Sequence, residues 1–182
     1  LCPVWGKLYR RSLIQKSGAR FVDLAEIGSY EDGFFNLEVF GKANRVVYLA
    51  AYLYHYRRDG SSSVTSGYNP RLYDQWQTLY NRMEAIIQSN QLGSEYEAAL
   101  NNRIALGILG LGLNITVSTQ SMGKKVKDIH RIIRQERYRK AYKNLPLNYF
   151  PIHWKLFYGC ARHGFAFGVY VLLTVIQRII SR

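Results

Sequence analysis

From Pro70 to Asn90 the apolar residues Leu72, Trp76, Leu79, Tyr80, Met83, Ile86 and Ile87 recur at helical spacing, and the pattern stays helical to the end of the chain. Residues on one helix face repeat every three to four positions, whereas a strand alternates, so this period commits residues 69–182 to α-structure. Pro70 suits a helix start because its ring fixes φ. Ser94 with Glu97 resembles a capping box that opens a second helix over 95–119, in which Gly107, Gly110 and Gly112 either weaken the helix or permit close packing. A third helix is expected over 123–143, a break over 144–151, and a final helix over 152–180.

The first 68 residues read differently. Short helices are expected over 7–15, with Leu8, Leu13 and Ile14 as core contacts, and over 31–43, with Phe34, Phe35 and Val39 on one face. Residues 21–29 read as a loop. Val46–Tyr48 and Tyr52–Tyr56 are β-branched and aromatic runs that read as strands, and residues 59–69, with four Ser and two Gly, as a loop. The fold class expected is therefore α/β followed by α, with an α/β portion at 1–68 and a helical extension at 69–182.

Charge sharpens this division. The 182 residues carry a net charge of +13, and residues 121–182 hold 13 Lys/Arg against 2 Asp/Glu. Such asymmetry implies an anionic partner. No RNP-like, zinc-finger or clear helix-turn-helix pattern accompanies the charge, so nucleic acid is not the expected partner. The uncharged run at 164–176 is shorter than the ~20 residues that span a bilayer. Trp154, Phe157, Tyr158, Phe165 and Phe167 lie near Lys155 and Arg162, as in a helix resting in a membrane interface, although a buried helix with a solvated basic face has the same composition. Cys2 and Cys160 lack His or Cys neighbours, which favours a reduced, cytoplasmic setting. The Leu-Cys-Pro start reads as a cut end.

Two groups of residues suggest chemistry. Glu31 and Asp32 head the helix over 31–43, at the positive end of its dipole, where a carboxylate serves as a cap or as a positioned base. Arg57 and Arg58 precede a loop with Ser61, Ser62 and Ser63, and fork-shaped guanidinium donors beside exposed amides suit phosphate oxygens, although a solvated loop has the same residues. Trp5 offers either a stacking face for a pyranose or a core aromatic.

The order Lys7-Leu-Tyr-Arg-Arg11, Glu31-Asp-Gly-Phe-Phe35, Leu53-Tyr-His-Tyr-Arg-Arg-Asp-Gly-Ser61 resembles the second half of a family-2 glycosyltransferase catalytic domain, over about residues 2–66. That resemblance implies an inverting enzyme of the GT-A fold, of hexosyltransferase type, similar to bacterial enzymes that build surface polysaccharides. It implies Asp32 as the base for the acceptor hydroxyl, with Glu31 near the acceptor, and Arg57, Arg58 and Ser61 near the donor diphosphate; the stacking face of Trp5 would then serve the acceptor. It further implies a nucleotide-sugar donor, a glycan or lipid-linked acceptor, and a divalent Mg or Mn ion bound mainly outside this segment. Three features depart from the family: its nucleotide-binding first half is absent from the segment, no Asp-x-Asp occurs in the chain, and Gly6 stands where Asn is common. The segment alone is therefore expected to be inactive. It is expected to act in the cytoplasm, peripherally on the inner membrane face, with residues 121–182 toward anionic lipid. The alternative from another class is a non-catalytic helical module that binds membrane or a partner.

Overall fold

The structure, a computed structural model, describes residues 3–55 and 67–180. Among the described residues there are nine α-helices: α1 Arg11–Ser17, α2 Leu24–Ile27, α3 Glu31–Phe40, α4 Leu72–Ser89, α5 Ser94–Thr116, α6 Met122–Arg134, α7 Glu136–Asn144, α8 Ile152–His163 and α9 Ala166–Ile180. A 3-10 turn at Leu147–Tyr149 joins α7 to α8.

No β-strand occurs among the described residues, which overturns the α/β expectation and with it the GT-A fold class for residues 1–68. Val46–Tyr48 and residues 52–55 of the second run lie in irregular backbone, and their side chains face solvent: Tyr48 is 86% and Tyr52 102% exposed; Tyr56 lies outside the described residues. High β-propensity does not make a strand without a neighbour, because a lone strand leaves its N–H and C=O groups unpaired and has no surface to pack on.

The described residues divide into two compact units, residues 3–55 with 71–93, and residues 67–70 with 94–180. In the first unit α3 is the core element. Phe35 and Val39 are buried with Ala19, and Leu13, Ile14, Tyr9, Val4 and Phe40 pack around them. Phe21 stacks on Phe35 with ring centroids 4.6 Å apart. Leu8, expected as a core contact, is instead fully exposed. Asp23 caps α2 by accepting from the Ala25 N–H at 2.8 Å, a role short acidic side chains fill well. Helix α4 holds α2 and the turn after it through two buried side chains. Gln75 Nε2 donates to the Ala25 carbonyl at 3.0 Å, and Trp76 Nε1 donates to Ser29 Oγ at 3.0 Å. Arg82 pairs with Glu26 about two turns further along, at the surface.

In the second unit α5 is the hub, packing against α6, α7 and α9. It alone among the described helices is long and apolar enough to cross a membrane, and Leu100, Ile104, Ile108, Leu111 and Ile115 bury its faces in the bundle. Of its glycines, Gly112 permits close packing: a Cβ there would lie 2.3 Å from Leu173 Cδ1 of α9. Asn114 clips the chain at Asn69, accepting from its N–H and donating to its carbonyl, both at 2.8 Å.

The single basic helix expected over 123–143 is two helices, broken at Gln135, whose backbone is extended with ψ 141°. The break has a reason in phase. Ile129, Ile132 and Ile133 bury one face of α6, but the next buried residues are Tyr138, Ala141 and Tyr142. Five residues separate Ile133 from Tyr138, which is out of step with a 3.6-residue repeat, so one continuous helix cannot bury both sets. The expected final helix is likewise two, turning at Gly164 with φ 75°. Arg162 donates to the Tyr142 and Leu145 carbonyls at 3.0 and 2.6 Å, satisfying the C-terminal end of α7 from α8.

Leu173 is fully buried, and its Cδ1 occupies the space a Cβ at position 112 would take. Gly112→Ala is therefore expected to destabilise the protein by about 1–3 kcal/mol. Leu173→Ala alone should cost about 2–5 kcal/mol. The double variant should cost less than the sum, because each change makes room for the other. Urea unfolding of the four proteins measures the cycle.

Candidate functional site

Helix α3 begins abruptly. Tyr30, its N-terminal neighbour, sits in the left-handed region at φ 76°, unusual for a residue with a side chain. Its ring lies over Gly33, where a Cβ would meet ring atoms at 2.3–2.7 Å. The glycine of Glu31-Asp-Gly33 is thus fixed by the ring that precedes the acidic pair. Glu31 and Asp32 occupy the first turn, half-buried, where exposed helix N–H groups favour negative charge.

Asp32 is tied to the N-terminal segment: its Oδ2 accepts from the Val4 N–H at 3.0 Å. A carboxylate has about four lone-pair sites, so one such bond orients it and leaves capacity to accept a further proton donor. Trp5, next to Val4, is 44% exposed and stacks on Tyr54 with centroids 5.0 Å apart and planes 18° apart. It is therefore a surface aromatic next to the residue that binds Asp32. Its exposed, flat ring has the form that suits stacking on an apolar sugar face. Arg57, Arg58 and Ser61 lie outside the described residues.

A second polar group lies one helical turn from Asp32. Asn36 is 3% exposed, accepts from Tyr9 Oη at 2.6 Å and donates to the Pro3 carbonyl at 3.4 Å. Lys7 Nζ donates to the same carbonyl. Residues 3–9 are thus laced to α3 by Asp32 and Asn36 together. The Tyr9 phenol is raised above its ordinary value, first by burial and then by the Asp32 charge, against a smaller lowering by Asn36. Neither Tyr9 nor Asn36 stood out as a site residue in sequence. One signal was present: Asn36 is a polar residue inside Phe34-Phe35-Asn36-Leu37, four positions after Asp32 and so on its face of the helix.

No group of three His, Cys, Asp or Glu that could hold a metal occurs among the described residues. Among the described residues Glu31 and Asp32 are the carboxylates in the first turn of α3, and two carboxylates alone do not form a donor set for the divalent ion that the resemblance implies.

The chain is similar in sequence to known proteins. The chain is 35% identical over 102 residues to "Putative glycosyltransferase EpsH" of Bacillus subtilis (strain 168), covering 56% of this chain and 29% of that protein. It is 31% identical over 157 residues to "Uncharacterized glycosyltransferase EpsJ" of the same strain, covering 86% of this chain and 44% of that protein. No family model matches the chain, and no solved structure matches it. The chain thus spans less than half the length of either relative.

Removing the Tyr9 hydroxyl should show how much the lacing contributes. Tyr9→Phe leaves buried Asn36 short of one partner and is expected to cost about 1–3 kcal/mol at neutral pH. A phenol whose folded pKa is raised contributes stability that is complete below the unfolded value of 10.0 and is lost as pH climbs through the folded value. The gap between wild type and Tyr9→Phe should therefore narrow above pH 10. Tyr158, whose phenol burial pushes up to about 12, is present in both proteins and cancels. Urea unfolding from pH 7 to 11 is the measurement. A gap that stays constant refutes the role of the neutral phenol.

Proposed function

We propose that this chain is the acceptor-side segment of a bacterial glycosyltransferase of the inverting, family-2 kind, working in surface-polysaccharide synthesis as part of a longer protein. Residues 1–68 carry the catalytic motifs, and residues 69–182 are a helical extension. The donor is a nucleotide sugar and the acceptor a hydroxyl of a glycan or a lipid-linked glycan. The reading also includes hexosyl transfer, a cytoplasmic setting on the inner membrane face, and a Mg or Mn ion held mainly by the rest of the longer protein. The observation that carries the reading is the oriented Asp32 carboxylate at the head of α3, beside exposed Trp5, in a chain similar to two glycosyltransferases.

In a single displacement the acceptor oxygen attacks the anomeric carbon while the bond from that carbon to the diphosphate breaks. The acceptor proton passes to Asp32, and the nucleoside diphosphate leaves with the bonding electron pair. Attack from the face opposite the leaving group inverts the anomeric centre. Asp32 suits the base because the Val4 N–H fixes its direction, and a fixed base avoids the entropy of finding its proton. Glu31 and Trp5 orient the acceptor. Arg57, Arg58 and Ser61 offset charge on the departing diphosphate, a role that rests on their motif alone.

Asp32→Asn in the longer enzyme separates chemistry from structure, because the amide oxygen still accepts from Val4. A kcat lower by roughly two to four orders of magnitude, with donor KM nearly unchanged, is the expected result. Undiminished turnover removes Asp32 as the base.

A further inference from the structure

Along the outer side of α9, Phe167, Val171, Val175 and Ile179 recur every fourth residue and are 49%, 42%, 49% and 69% exposed. That spacing sets them in one row on the helix surface, roughly 18 Å long from end to end. Helix α9 turns its other side inward, where Ala166, Val169 and Leu173 are buried. Phe165, at the turn from α8, extends the row, with its ring 6.5 Å from that of Phe167. The structure also sorts the aromatic residues of this region. Phe157 and Tyr158 are buried, so they belong to the bundle, whereas Phe165 and Phe167 face outward.

The border of this row is cationic. The Arg134 guanidinium, at the end of α6, packs so closely on Gly164 that a Cβ there would lie 2.6 Å from its Nε. Arg162 and His163 are exposed immediately before that turn, and Arg178 is exposed at the far end. After Glu136 the chain has no Asp or Glu at all. Of the two acids in residues 121–182, Asp128 is paired with Lys124 at 2.7 Å and lies 3.6 Å from Arg131.

We propose that the outer row of α9, with the Phe165–Phe167 corner, is a docking face for an anionic lipid bilayer. The row enters the boundary between headgroups and acyl chains, and Arg134 and Arg178 stand at the level of the lipid phosphates. A row of ~18 Å is shorter than the ~30 Å hydrocarbon core, so the helix lies on the membrane and does not cross it. Charge decides the occupant. A second copy of this face would set arginines against arginines, while an anionic leaflet attracts each of them. This inference rests on the proposed membrane setting of the enzyme and assigns it a particular surface.

Vesicle sedimentation of the whole protein tests it without a transfer assay. The wild type should bind phosphatidylcholine–phosphatidylglycerol vesicles at low salt, release at high salt, and bind phosphatidylcholine alone weakly. Val171→Ser with Val175→Ser should weaken partitioning roughly tenfold or more. Arg134→Gln and Arg178→Gln should each weaken it about fivefold. Circular dichroism and urea unfolding confirm that these surface variants stay folded. Equal binding by wild type and the Val171/Val175 variant overturns the proposal, as does wild-type indifference to anionic lipid. A concentration-dependent dimer that the valine changes dissolve, without vesicle binding, overturns it in favour of a second copy. Vesicle binding by a protein in which Asp32→Asn has no effect on transfer would sink the base assignment and leave this face standing.

Discussion

Helix α4 carries the region that holds the candidate base. The segment before α3 contains a four-residue helix and a tight turn, far too little to persist alone, since helices this short do not offset the cost of nucleation. What stabilises them is a buried side: Gln75 takes the Ala25 carbonyl, Trp76 takes the Ser29 hydroxyl, and Gly28, with φ 73°, lets Gln75 and Leu72 come within contact of its backbone. Tyr30 follows directly, so the direction in which α3 starts is inherited from this clamp. Asp32 and Asn36 then hold residues 3–9 against α3. The site is thus positioned by a helix that contributes no residue to it.

The second unit is organised differently. Two of its helix ends are satisfied by side chains from other helices. Arg162 serves the carbonyls at the end of α7, and Lys125 Nζ donates to the Thr116 carbonyl at the end of α5 at 2.8 Å. Cationic residues near helix C-termini are favoured by the backbone dipole as well as by the hydrogen bond. Part of the basic excess in residues 121–182 is therefore structural. The remainder, exposed on α6, α7 and α9, is what an external anion can meet.

The helical half of the chain was legible because its signal is local. Trp76, Leu79, Tyr80, Met83 and Ile87 announce α4 by spacing, and all five are buried. The breaks at Gln135 and Gly164 were less visible, since Gln135 has no unusual propensity and only the change of phase between Ile133 and Tyr138 marks it. The strands were misread for a non-local reason. Val46–Tyr48 and Tyr52–Tyr56 have the right residues, but pairing needs a second strand, which propensity cannot supply. At the site, Glu31 and Asp32 were visible as a helix head. The lacing through Tyr9 and Asn36 joins residues 27 positions apart, and no periodicity reports it.

The Tyr30 ring over Gly33 has a consequence for how this segment can change. A side chain at position 33 is excluded while the ring is present, whereas replacing Tyr30 by Gly or Asn both clears the space and relaxes a left-handed backbone. Substitutions at the two positions therefore have a preferred order. The route that alters position 30 first passes through an unstrained intermediate, and the reverse route passes through a clash beside Asp32. Divergence at this helix head is directional: the aromatic can be lost before the glycine, and the glycine cannot readily be lost before the aromatic.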